Sequence, residues 1–157
     1  MSKNYYSEIY LHITWHAKDS LPLLTPDVEA LAHREVKQRI IRTPGACLYE
    51  IGGTETHLHV AVSIPPTLVI SEFIGQIKGA SAHEVNQQLT LRGKVLQWQA
   101  GYGVVSFGRR QLEWVRAYIR DQREHHARGT VVASLERITE LQEEEPRETG
   151  LTEDTDE

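Results

Sequence analysis

The chain has 157 residues, enough for one domain with a sizeable core and too few for two ordinary ones. Hydrophobic residues make up 39% and charged residues 25%; no apolar run approaches the ~18 residues that cross a bilayer, and the start carries no apolar leader, so a soluble cytoplasmic protein with no membrane partner is expected. The net charge of −5 weighs against a nucleic-acid partner only until it is divided along the chain. Residues 140–157 hold nine acids and one base, which leaves sixteen bases against thirteen acids in residues 1–139. The expectation is a mildly basic domain over 1–139 and an acidic tail over 140–157 that buries too little apolar surface to order itself. A lone cysteine, Cys47, excludes an internal disulfide and a multi-cysteine zinc site.

Along residues 8–16, Ile9, Leu11, Ile13 and Trp15 alternate with mostly polar neighbours, the period of a half-buried strand. Thr25-Pro26-Asp27 reads as an N-cap, a proline at the first helical position and an acid in the first turn. Val28, Leu31, Ala32, Val36 and Ile40 then recur at helical spacing until Thr43-Pro44-Gly45. Ala46 to Ile51 predicts a second strand, and Gly52-Gly53-Thr54-Glu55 a hairpin turn. In the third strand Leu58, Val60, Val62 and Ile64 face one side, while His57, His59, Ala61 and Ser63 face the other.

After Pro65-Pro66 a helix follows, with Ile70, Phe73, Ile74, Ile77, Ser81 and Val85 on one stripe. Gly75 and Gly79 weaken it by propensity and suggest close packing there. Tyr102 to Phe107 is a fourth strand, Arg109 to about Ala127 a final helix, and Val131 to Leu141 a short amphipathic stretch. The order β-α-β-β-α-β with an added helix is that of an α+β, ferredoxin-like antiparallel sheet. In that plan the apolar side of the third strand meets the two crossover helices. His57 and His59 then look out of the opposite face, which the added helix can approach.

His57-Leu58-His59 puts two imidazoles on one side of a strand, about 7 Å apart at their origins, where both can reach one metal ion. Two ligands are too few to hold it. On the final helix Val115, Tyr118 and Gln122 share a face, with Tyr118 and Gln122 one turn apart. An amide oxygen can join two imidazoles on a divalent ion and leave positions for a substrate phosphate. A phenol one turn away can attack that phosphate.

Four ordered motifs carry a resemblance over about residues 5–128. They are His57-Leu58-His59 running on through Val60 to Pro66, Gln76-Ile77-Lys78-Gly79-x-Ser81, Leu96-Gln97-Trp98-Gln99-x-Gly101-Tyr102-Gly103, and Tyr118-Ile119-x-x-Gln122-x-x-His125-His126. Together they resemble the HUH-type single-tyrosine transposases, which move short insertion sequences as single-stranded DNA. The Gln-x-x-His-His ending is shared with the transposases that process repetitive palindromic elements. The resemblance implies that His57, His59 and Gln122 hold Mg²⁺ or Mn²⁺ and that Tyr118 is the nucleophile. It implies a 5′-phosphotyrosine bond, a free 3′-OH, no nucleotide cofactor, a homodimer, and recognition of imperfect hairpins near the element's ends. Thr56, before the first histidine, and Asp121, before the glutamine, depart from the residues frequent in relatives.

Arg109, Arg110, Arg116, Arg120, Arg123 and Arg128 give the final helix six bases, which either lie solvated or, beside such a site, contact a DNA backbone. Lys78, with Gly79 allowing close backbone approach, follows the same logic. His12 and His16 share the outward face of the first strand, and Trp98 and Tyr102 can stack bases or pack in the core. Three other functions compete: an RNA-recognition module on the same sheet plan, a related replication initiator or relaxase, and a domesticated copy that binds hairpins without cutting them. The third strand's outward face, His57, His59, Ala61 and Ser63, holds no aromatic, which counts against the first.

Overall fold

The computed structural model describes residues 4–138; the acidic tail expected over 140–157 lies outside them. Four strands are present: β1 (Tyr10–His16), β2 (Cys47–Gly53), β3 (His57–Ser63) and β4 (Gly103–Phe107). They form one sheet in the order β2-β3-β1-β4 with every neighbouring pair antiparallel. The helices α1 (Pro26–Ile41) and α2 (Ile70–Gln88) are the crossovers. This is the α+β, ferredoxin-like arrangement, with β1 and β3 central.

Periodicity places the core. Leu11, Ile13 and Trp15 of β1 and Leu58, Val60 and Val62 of β3 meet Val36 and Ile40 of α1 and Phe73, Ile74 and Ile77 of α2. A second cluster, Leu24, Val28, Ala32, Val85 and Leu96, extends this layer beyond the strands. Trp98 belongs to it: its ring stands edge-on to Trp15 at 5.8 Å, and its indole N–H donates to Ser81 Oγ at 3.0 Å. Trp98 is therefore partly buried against the core.

Some boundaries differ from expectation. Gly52 and Gly53 extend β2, so the turn to β3 is Thr54–Thr56. Thr25 holds the N-cap position of α1, but its hydroxyl donates to the Asp27 carboxylate instead of serving a helix N–H. Gly75 and Gly79 do not mark close packing, since a Cβ on either would meet nothing within 4 Å. The final helix is not continuous. A 3₁₀ turn at Arg109–Gln111 leads into α3 (Leu112–Arg120), Asp121 breaks the helix at φ −100° and ψ 24°, and α4 (Gln122–Arg128) continues to Gly129.

The largest difference concerns the second face of the sheet. It is covered, and β1 and β3 are buried on both sides, except for the half-exposed His16 and Ser63 at their ends. Helix α3 lies across β2 and β3, packing Val115 and Ile119 on Ala61. Gly52 permits this, because a Cβ there would run into the Ile119 carbonyl. Tyr10 of β1, Tyr49 of β2 and Phe107 of β4 add an aromatic group at one end of this face, with Tyr10 5.7 Å from each of the other two rings. The short helix α5 (Ala133–Glu136) closes the remainder over β1 and β4.

Candidate active site

Alternation along β3 sends Leu58 into the apolar core and both flanking histidines to the α3–α5 side, where His57 is 3% and His59 0% exposed. Each ring is held from behind. His57 Nδ1 faces the hydroxyls of Thr54 at 3.0 Å and Thr56 at 2.9 Å, so the threonine that departs from the family pattern serves as the ring's orienting partner. His59 Nδ1 shares a hydrogen with His12 Nε2 at 2.8 Å. With both Nδ1 atoms committed, both Nε2 atoms point into one space. His59 Nε2 is buried there with no hydrogen-bond partner. His16 stacks on His57 at 5.0 Å.

Helices α3 and α4 bring the other expected residues. Gln122 is fully buried; its amide N–H donates to the Tyr118 carbonyl at 3.1 Å, and its Oε1 lies 3.5 Å from His57 Nε2 and 3.2 Å from His126 Nε2. The break at Asp121 turns α4 so that His126 also approaches, 4.6 Å from the His57 ring. Tyr118 is stacked between Trp114 at 5.5 Å and His125 at 4.7 Å, and is 2% exposed. Its hydroxyl donates to Glu136 Oε1 at 2.6 Å and accepts from the Val132 N–H at 3.0 Å.

Glu136 was not anticipated. Its Oε2 lies 3.2 Å from His59 Nε2 and 3.5 Å from both His57 Nε2 and His126 Nε2. One carboxylate thus touches the phenol on one side and three imidazoles on the other. The sequence offered little to find it by, because it sits in a four-residue helix beyond the stop at Gly129. His126 stood within a quoted motif, but its approach depends on the unforeseen break at Asp121.

Electrostatics follow from enclosure. Burial, and then the neighbouring His59, pushes both His57 and His12 down to about 3, so both rings are neutral at physiological pH. Burial and the Glu136 contact push the Tyr118 phenol up to about 12. Burial alone would raise Glu136, but the surrounding imidazoles and the phenol outweigh it and hold the carboxyl at about 2. Imidazole nitrogens, an amide oxygen and a carboxylate around one space form a donor set suited to a divalent cation. His59 Nε2, buried without a well-directed hydrogen bond and with the Glu136 carboxylate 3.2 Å away, is the atom that such an ion would satisfy.

The expected DNA-contacting residues are dispersed. Arg123 lines the cavity of about 600 Å³ that opens onto His57, His126 and Glu136, and it pairs with Glu29 at 2.8 Å. Arg116 and Arg120 both reach Glu50, at 3.7 and 3.6 Å. Arg109 pairs with Glu8, and Arg110 is exposed with no ion pair among the described residues. Lys78 and Gly79 line a separate cavity of about 1040 Å³ with Lys18, His83 and Lys94; there Lys78 Nζ donates to the carbonyls of Gln99 at 2.7 Å and Gly101 at 2.9 Å.

An antiparallel sheet whose two central strands hold four histidines, His12, His16, His57 and His59, beneath a tyrosine-bearing helix frames the candidate site. The family that matches this chain, over residues 5–122, is the IS200-like transposase family. The chain belongs to that family. Two solved structures share its fold. One is a candidate transposase from Deinococcus radiodurans R1, at 18% identity and a TM-score of 0.55, covering 78% of this chain and 96% of that one. The other is a REP-associated tyrosine transposase bound to a REP hairpin, at 16% identity and a TM-score of 0.56, covering 83% of this chain and 75% of that one. No curated protein matches the chain. Among the described residues, no helix is long and apolar enough to cross a membrane.

Proposed function

We propose that this chain is a metal-dependent transposase that cuts and rejoins single-stranded DNA at insertion-sequence ends through a transient bond from Tyr118 to DNA. The observation that carries this reading is that the Tyr118 hydroxyl and the Nε2 atoms of His57 and His59 reach opposite oxygens of one carboxylate. Nucleophile and cation ligands therefore meet in one place, within a single chain. His57, His59 and Gln122 would hold Mg²⁺ or Mn²⁺, which when bound offsets the charge of the attacked phosphate.

The residues divide the remaining work. Trp114 and His125 clamp the Tyr118 ring, which fixes the direction from which its oxygen approaches phosphorus. The Tyr118 O–P bond forms as the bond from phosphorus to the 3′ oxygen breaks. The phenol's proton leaves, and the departing strand ends in a protonated 3′-OH. The 5′-phosphotyrosine conserves the ester, so a second 3′-OH can attack it and rejoin the strands with no nucleotide cofactor. Arg109, Arg110, Arg116, Arg120 and Arg123 are proposed to contact the DNA backbone near α3 and α4. Lys78 and Gly79, with Lys18 and Lys94, are proposed to contact a hairpin. That one fold relative is described as bound to a REP hairpin supports a hairpin partner here. A homodimer is proposed as well, since among the described residues β2 and β4 are the edge strands of the sheet.

A second reading, a hairpin binder that no longer cuts, is favoured by the enclosure of Tyr118 at 2% exposure. Single-stranded DNA carrying the element's end, labelled on the 3′ side of the cut and mixed with protein and Mn²⁺, separates the two. The transposase gives a protein–DNA band that survives boiling in detergent, and Tyr118→Phe abolishes it. Hairpin binding by the wild type with no such band establishes the binder.

A further inference from the structure

We propose that Glu136 is itself a ligand of the divalent ion and links that ion to the nucleophile. The proposal rests on the reading of His57 and His59 as metal ligands and adds a group from outside the motifs. One ring nitrogen from each of His57, His59 and His126 and one Glu136 oxygen all lie within 4.8 Å of one another. Ligand atoms about 2.1 Å from a common Mg²⁺ or Mn²⁺ stand roughly 3–3.5 Å apart, and Glu136 Oε2 is 3.2 Å from His59 Nε2 and 3.5 Å from His57 Nε2. The spacing is that of two imidazoles and a carboxylate on one ion.

The carboxylate is placed there by packing as well as by attraction. Leu135 and Ile138 on either side are buried, and the Arg137 carbonyl lies against Gly103 so closely that no Cβ would fit. Apolar anchors and a backbone contact thus aim Glu136 at the histidines. Chemistry favours it too. Hard divalent cations prefer charged oxygen to amide oxygen, and the Gln122 N–H donated to the Tyr118 carbonyl leaves its Oε1 facing the same space. With Glu136 included, the protein ligands are His57, His59, Gln122 and Glu136, and His126 stands at the half-exposed rim. The other carboxylate oxygen keeps its 2.6 Å contact with the Tyr118 hydroxyl, so one side chain sets both the ion and the attacking oxygen.

Calorimetric titration of Mn²⁺ into the full chain tests this, with wild type, Glu136→Gln, Glu136→Ala and the double variant His57→Ala plus His59→Ala. Glu136→Gln keeps size and removes charge, and circular dichroism verifies its fold. We expect Glu136→Gln and Glu136→Ala each to weaken Mn²⁺ binding ~10-fold or more, with the histidine pair abolishing it. The Mn²⁺-dependent rise in melting temperature in the same proteins should shrink in parallel. Unchanged Mn²⁺ affinity in both Glu136 variants overturns the proposal. If their covalent DNA adduct also increases, Glu136 is a cover over Tyr118 and not a ligand. Absence of Mn²⁺ binding in the wild type, or its persistence in the histidine double variant, overturns the underlying metal reading and this inference with it.

Discussion

His12 and His59, 47 residues apart, are joined ring to ring by a 2.8 Å hydrogen bond inside the sheet. For His59 Nε2 to offer a lone pair to a cation, its Nδ1 must carry the proton and donate it to His12. His12 therefore sets the tautomer and direction of His59 without approaching the cation space itself. The outward histidine of β1 is part of the site's frame and not a DNA contact, and 1% exposure agrees.

Replacing His12 by phenylalanine keeps the volume and removes the acceptor. We predict that His12→Phe leaves the fold intact by circular dichroism and weakens Mn²⁺ binding ~10–100-fold, with a matching fall in adduct yield at limiting Mn²⁺. Equal Mn²⁺ affinity in calorimetry would show that His59 is oriented without it.

Acid should unfold the protein early. His12 and His57 sit near 3 and His33 near 4, all lowered chiefly by burial from an ordinary 6.5. Their folded values lie below their unfolded ones, so the unfolded chain binds more protons between these limits. Stability is then full above about pH 6.5 and falls as pH drops toward 4 and below. His33 alone, at about 1.4 kcal/mol per pH unit of depression, accounts for about 3 kcal/mol over that range. Urea denaturation of chelator-treated protein at pH 7, 5.5 and 4.5 should trace this loss, with a shallower slope in His33→Gln. A flat profile would mean that these rings are reached by water.

Glycines give opposite outcomes according to what faces them. Gly103→Ala drives a Cβ into the Arg137 carbonyl and should cost about 1–3 kcal/mol. Because that carbonyl anchors the segment over Tyr118, hydrogen exchange should rise across 131–138 more than elsewhere. Gly75→Ala meets open space on an exposed helix face and should gain about 0.5–1 kcal/mol. Equal effects at the two positions would contradict the packing described.

The proposed homodimer is open to light scattering on protein ending near Leu141, which removes the acidic tail. A dimer at micromolar concentration is expected. A monomer would contradict the homodimer, and the contacts from Tyr118 through Glu136 to His57 and His59 in one chain would then be the working arrangement.

How much of this was legible in sequence depends on the range over which each feature is determined. The alternation of His57-Leu58-His59 and the stripe of α2 are local periods, and both survived folding. Tyr118 and Gln122, four residues apart, stayed on one side because the break at Asp121 falls between them without reversing the chain. What sequence could not show was set by long-range packing. Arg123 has its partner, Glu29, 94 residues away. Lys78 reaches the Gln99 and Gly101 carbonyls rather than the histidines. Glu136 enters through a four-residue helix held by Leu135 and Ile138, and no short-range pattern announces such a contact.

The central claim is that the Tyr118 oxygen becomes bonded to DNA phosphorus, and peptide mapping of the adduct addresses it most directly. Wild-type protein is incubated with single-stranded DNA of its own element's end and Mn²⁺, treated with nuclease, cut with trypsin and analysed by mass spectrometry. Cleavage after Arg116 and Arg120 releases Ala117-Tyr118-Ile119-Arg120, a peptide with one nucleophilic side chain. The account predicts that this peptide carries the mass of a 5′-phosphonucleotide, with fragment ions placing it on Tyr118. The same added mass on any other peptide, or its absence from a sample that binds and cuts DNA, would contradict the account.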